Sequence, residues 1–328
     1  KYLLCNGPFH VSKWTEKTSV KLAKNNEYNG ESSVSPSSVT FYINNDDSEV
    51  ADKMNSVTYD VAFLSSSQFS SIENKKDLNS VAVQNVTYSF IFNQNDNNYR
   101  NKNMRLAFCR SCDTSSLFDS QSDISKADGI VPPSCKIGGE DYRNGNAAEL
   151  LSYDETLAKK NFNDALLELG SSSVETTILC TEQYEPFVKQ MVQKLQKTLG
   201  VKFVSTVKVV SESDLEAAVN DGNYSVAFYP FKAKSSFAGE IIEVFDQNNI
   251  FGYESDVLSQ KIRNIKNNSG SLEGERSAVA DAENYLVSEA VIMPVFYENS
   301  YFVTSKKTSG IYFYSSADNV CFINAKKS

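Results

Sequence analysis

Residues 150–230 constrain the fold more than any other stretch, because hydrophobic period and turn chemistry there alternate between helix and strand. In LLSYDETLAKKNFNDALLELG, Leu157, Phe162, Ala165, Leu166 and Leu169 recur at helical spacing. Asp154 is placed to cap this helix and Gly170 to stop it. Residues 174–180 read as strand, 184–199 as a strongly amphipathic helix closed by Gly200, and 201–210 as strand again. Ser213, with Glu216 three residues on, has the form of a capping box opening a helix over 215–220, and 224–229 is a third strand. This order implies one sheet with right-handed crossovers and helices covering it. Sheets of this kind host nucleotide enzymes, yet no GxGxxG or GxxxxGK[ST] occupies a strand-to-helix turn here, which disfavours phosphate binding.

Length and charge narrow the rest. A chain of 328 residues favours about two domains. With 32 basic and 41 acidic residues the net charge is −9, and no long basic run exists, which disfavours nucleic acid or an anionic membrane as partner. No run of about 18 apolar residues spans a bilayer, and KYLLCNGPF lacks the layout of a signal peptide. Cys5, Cys109, Cys112, Cys135, Cys180 and Cys321 show no framework spacing. The CxxC of RLAFCRSC suits a helix burying both thiols as small hydrophobes, since no second CxxC or histidine pair completes a metal site. His10 falls on the solvent side of a strand. With one histidine, no GxSxG and no HExxH, hydrolase chemistry lacks its parts, and Asp46-Asp47 reads as loop charge. The chain is therefore read as a non-enzyme without metal or cofactor.

In chain order, Asn6-Gly7-Pro8 is a turn, 9–14 and 20–23 are hairpin strands, and 29–38 is a loop. Strand, helix, strand and helix follow over 39–43, 48–55, 58–64 and 67–73, and 81–92 is one long β-rich run. Residues 281–303 (DAENYLVSEAVIMPVFYENSYFV) begin helical, with Ala282, Tyr285, Leu286 and Ala290 on one stripe, and become strand from Val291. Pro294 cannot donate to a ladder and is expected at the start of that strand or on an edge.

Several of these stretches resemble the family 5 extracellular solute-binding proteins, the oligopeptide, dipeptide and nickel receptors of ABC importers. The family's opening block matches at Asn6, Gly7, Pro8, Phe9, Trp14, Leu22, Asn25 and Tyr28; a later one keeps Asn93, Tyr99, Arg105 and Ala107. DGIVPP at 128–133, YD…AKK…LL.ELG at 153–170 and PVFY at 294–297 resemble it too. Departures stand at Asn29 for an aromatic, Val57-Thr58 for a glycine, Asn101 for Asp, Asn103 for Arg and Thr114 for Arg.

The resemblance implies an α/β, two-lobe fold of the type II periplasmic-binding-protein kind with one lobe incomplete. Residues 1–86 and 296–328 would form the partial first lobe and 87–295 the second, with crossings near 81–92 and 291–300 that let the lobes close on a ligand. The chain would be a fragment whose upstream sequence holds a lipoprotein signal and the missing strands. Without them, sheet edges and apolar surface would stand unpaired. The protein would be lipid-anchored on the extracellular face or in the periplasm, take a peptide or other small solute, and deliver it to a membrane permease. Candidate ligand contacts are Tyr88, Phe90, Asn93, Tyr229, Phe231 and Lys234. Lys234 stands where oligopeptide receptors place an Asp for the peptide amine; either it faces an anionic group of the ligand, or the amine is caught elsewhere, or Lys232 and Lys234 are merely a solvated loop. The alternative class is a peptide sensor or surface module that has kept the fold without transport.

Overall fold

The computed structural model describes residues 5–30, 33–43, 47–114, 117–118, 122–314 and 319–328. The chain divides into two compact units, Lys1–Val83 with Asn299–Ser328, and Gln84–Glu298. The expected boundaries are 86/87 and 295/296, and the units divide at Val83/Gln84 and Glu298/Asn299. Asp46 falls outside the described residues, and Asp47 opens a helix.

In the smaller unit, β1 (Phe9–Thr15), β2 (Ser19–Lys24) and β3 (Ser38–Tyr42) form an antiparallel sheet in that order. His10 is exposed on β1. Helix α1 (Asp47–Asn55), β4 (Val61–Ser65), α2 (Ser66–Ser71) and β5 (Leu78–Val83) follow. The return strand Ser300–Ser305 lies between β4 and β5, antiparallel to both. Ser65 caps α2 in a full capping box with Gln68. One face of this sheet packs Leu64, Leu78 and Val303 against Met54, Ala51 and Ile72. Phe63 and Val81 are exposed, as are Trp14 on β1 and Tyr42 on β3.

In the larger unit, β6 (Val86–Phe92) leads to α3 (Asn97–Arg100), α4 (Lys102–Arg110), β7 (Ile124–Lys126) and the short hairpin β8–β9 (Lys136–Ile137, Glu140–Asp141). Then come α5 (Glu155–Leu169), β10 (Val174–Thr181), α6 (Glu185–Leu199), β11 (Phe203–Val210), α7 (Glu212–Asn220) and β12 (Val226–Lys232). Helices α8 (Gly239–Glu243), α9 (Asp256–Asn267) and α10 (Leu272–Ser288) precede β13 (Ile292–Glu298). One six-stranded sheet runs β11-β10-β12-β6-β13-β7. The expected strand–helix repeat supplies its three parallel strands, and β6, β13 and β7 pair antiparallel.

Strand alternation builds two cores, one on each face of this sheet. Phe90 and Phe92 on β6 join Phe108, Phe162, Val188 and Met191, whereas Ile91 joins Phe245, Ile262 and Leu286.

Several boundaries differ from expectation. The run 81–92 is two strands, because Gln84 and Asn85 carry the chain from one unit to the other; 291–303 is likewise two strands, divided at Asn299. Helix α4 ends at Arg110, leaving Cys112 beyond it. Leu157 is exposed, and Ala158 takes its place on the buried stripe of α5. Pro294 lies inside the sheet, beside a register shift between Pro294 and Phe296, and β7 pairs with β13 only from Phe296 onward. No neighbour on that side needs an N–H from it.

Candidate functional site

Parallel strands bring their carboxyl ends to one edge of a sheet, where the turns into the following helices leave a crevice. Here β10 and β11 end together at Thr181 and Val210, and β12 runs on past them to Lys232 at the same edge. The antiparallel pairing places the start of β6 and the end of β13 at the same edge, since Lys232 opposes Val86 and Tyr297 opposes Thr87. A groove of about 550 Å³ opens there, lined by Thr181, Glu182, Gln183, Val209, Val210, Ser211, Glu212 and Asp214.

Two helix starts shape its walls. A 3-10 turn, Glu182–Tyr184, leads into α6, with Pro186 in the first turn of the helix, where a missing N–H costs nothing. Ser211 caps α7, its hydroxyl accepting from the Asp214 amide at 3.1 Å. The cap therefore lies two residues before the expected Ser213. Hydroxyls, an amide and three carboxylates thus face an open volume next to two valines, which suits a polar, partly apolar ligand held by hydrogen bonds.

Behind the groove, Tyr184 is buried. Gln183 donates Nε2 to its hydroxyl at 3.2 Å, and that hydroxyl donates to Glu298 Oε1 at 2.8 Å. Its ring packs on Tyr88 at 4.3 Å and Phe296 at 5.4 Å. Burial pushes the Tyr184 hydroxyl well above the ordinary tyrosine range, and neighbouring Tyr88 and Glu298 add to the shift.

The six residues expected to contact ligand are dispersed, and none is among the eight that line the groove. Tyr88 stands nearest in contact terms, half-buried against Tyr184 and Phe296. Phe90, two residues on and on the same face, is sealed in the core against Phe108 and Phe228. Phe231 is buried in the opposite core beside Phe245 and Phe251, with Tyr229 half-buried next to it. Asn93 lies at the far end of β6, where its amide donates to the carbonyls of Gly222 and Tyr224 at 2.8 and 2.7 Å. Lys234 is exposed beyond β12, so a charge there carries little desolvation cost. Gln183, Tyr184, Ser211 and Glu212 escaped the sequence reading. The strand-to-helix turns at 181–185 and 210–212 were its only signal.

The smaller unit has its own concavity of about 490 Å³, lined by residues that include Val81, Phe302, Thr304 and Phe313. The Phe302 and Phe313 rings stack there at 4.1 Å. Among the described residues, no group of three His, Cys, Asp or Glu side chains is arranged to hold a metal ion. No described helix is long and apolar enough to cross a membrane. Burial pushes the Cys109, Cys112 and Cys135 thiols up to about 12, consistent with packing and not with thiolate chemistry.

The family model for the bacterial extracellular solute-binding proteins, family 5 (Middle), matches residues 1–250. The chain belongs to this family. Like other family 5 solute-binding proteins it has a mixed α/β fold of the periplasmic-binding-protein type. It superimposes on the substrate-binding domain of an oligopeptide ABC transporter from Bacillus anthracis str. Ames with a TM-score of 0.78 at 17% identity, covering 98% of this chain and 65% of that one. OppA of Listeria monocytogenes, solved bound to peptide, gives 0.76 at 20% identity, over 98% and 64% of the two chains. The dipeptide-binding protein DppE of Bacillus subtilis (strain 168) is 23% identical over 314 residues. That match covers 93% of this family 5 chain but 57% of DppE, so the chain spans a little over half the length of that relative. The family and these relatives are binding proteins.

Proposed function

We propose that this protein binds short peptides at the carboxyl edge of the larger unit's sheet and acts as the extracytoplasmic receptor of an ABC importer. The observation that carries this reading is the groove at the ends of β10 and β11, built where open α/β sheets take their ligands. Similarity to a dipeptide-binding protein and to a peptide-bound OppA supports peptide as the ligand class. Thr181, Gln183 and Ser211 supply hydrogen bonds that ignore side-chain identity, and Val209 and Val210 supply apolar wall. Tyr88 and Tyr229 are the two of the proposed aromatic contacts that remain partly open.

Of the charge departures that lean toward a sensor, at Asn101, Asn103 and Lys234, the first two have a local structural role. Asn101 and Asn103 both donate to Glu168, at 2.7 and 3.0 Å, so two amides hold the carboxylate where the family carries an Asp and an Arg. The discriminating experiment is a thermal-shift titration with a random peptide pool, on the wild type and on Val210→Asp. Broad stabilisation, lost in the variant, supports a general receptor. Response to one isolated peptide alone points to a sensor. No response to any peptide, or full response in Val210→Asp, overturns the site.

A further inference from the structure

The groove wall and the point where the chain leaves the larger unit are joined by one line of hydrogen bonds. Gln183 lines the groove and is exposed; its Nε2 donates to Tyr184 Oη at 3.2 Å. Tyr184 Oη in turn donates its single proton to Glu298 Oε1 at 2.8 Å. Glu298 is the last residue of the unit, and Asn299 already belongs to the other. The tyrosine between them is held at its ring by Tyr88, Phe228 and Phe296, with centroids 4.3, 5.9 and 5.4 Å away.

We propose that Gln183, Tyr184 and Glu298 form a relay through which a ligand in the groove alters the hold on the chain crossing at Glu298–Asn299. The idea rests on reading the groove as the peptide site. Gln183 is the exchangeable end, because an exposed amide trades one partner for another at small cost. Tyr184 to Glu298 is the stiff end, because a bond to a carboxylate from a buried hydroxyl is the stronger kind. The Tyr184 hydroxyl also shares a hydrogen bond with the Tyr88 side chain, so a peptide that draws the Gln183 amide to itself removes one of two groups that polarise it, and the bond to Glu298 weakens in part. The exit of β13 is thereby released or re-set when the groove fills. A ligand shifts such an equilibrium only as far as its affinities for the two states differ, so the effect is graded by how well it engages Gln183.

The test is amide hydrogen exchange at residues 298–301 of the full chain, with and without a saturating random tetrapeptide pool, beside a thermal shift. In the wild type the pool is expected to change exchange there by at least about fivefold, the lower end of ordinary coupling between sites. Tyr184→Phe keeps the ring in its aromatic contacts and removes the hydroxyl. It should still be stabilised by the pool while the change at 298–301 disappears. Glu298→Gln, outside the groove lining, takes the charge from the acceptor of the Tyr184 hydroxyl; it should behave likewise and serves if the tyrosine variant fails to fold. An unchanged exchange response in both variants, or none in a wild type that the pool stabilises, overturns the relay and leaves the groove standing. No stabilisation of the wild type overturns the groove reading, and the relay falls with it.

Discussion

At the residue scale, two positions show local geometry at odds with, or dependent on, a single side chain. Val57 follows α1 at φ +53°, where the family's glycine would sit, with its N–H donating to Met54 O at 3.0 Å and the Thr58 amide reaching Lys53 O at 2.8 Å. That is the left-handed closure of a helix, and a β-branched side chain is costly there. Val57→Gly is expected to stabilise the protein by about 1 kcal/mol, read from the denaturant midpoint. A loss of stability would mean that the valine's contacts outweigh its strain. Arg143 and Glu283 form a buried ion pair, and Glu283 also accepts from the Val131 amide at 2.9 Å and the Tyr142 hydroxyl at 3.1 Å. With every partner satisfied the pair ties α10 to the 128–146 segment. Glu283→Ala strands a buried guanidinium and should cost about 3–5 kcal/mol in equilibrium unfolding. A cost under about 1 kcal/mol, the exposed-pair range, would show the pair to be hydrated.

At the element scale, helix ends and strand ends were decided by contacts that spacing does not report. Ser211, not Ser213, caps α7, because its hydroxyl is the one facing the Asp214 amide. Ser211→Ala should therefore cost about 1 kcal/mol. Ser213→Ala should stay within about 0.5 kcal/mol, as for an ordinary surface change. Equal losses would restore the expected box. Arg105 shows the same dependence on tertiary placement. Its guanidinium donates to the carbonyls of Tyr99, Arg100, Glu289 and Ala290, closing the carboxyl ends of α3 and α10 at once. A cation among helix-end carbonyls is favourable without a carboxylate partner. The residue was legible as a family match, but its role required knowing that two distant helices end together.

At the scale of the whole molecule, four cysteines sit in cores and two do not. Cys109, Cys112, Cys135 and Cys180 are buried, and Cys5 and Cys321 are partly exposed. Burial pushes Cys180 up to about 11 and the other three up to about 12, so at pH 8 these thiols stay protonated as well as covered. A disulfide-exchange reagent should therefore titrate two thiols in the folded protein and six after denaturation; rapid titration of more than two would show the larger unit opening. The sequence by itself determined the elements whose signals are local: the alternation that yields β10 to β12, the apolar stripe of α6, the turns that separate them, and the motif matches that carry the family. These follow from period and turn chemistry, which act over a few residues. Only the tertiary structure decided which aromatics stay open, since β6 carries Tyr88 and Phe90 on one face and packing seals one of them. It also decided that the groove belongs to Gln183, Ser211 and Glu212, and that Tyr184 meets Glu298 across 114 positions of sequence. Burial and convergence are sums over distant neighbours, and no local pattern contains them.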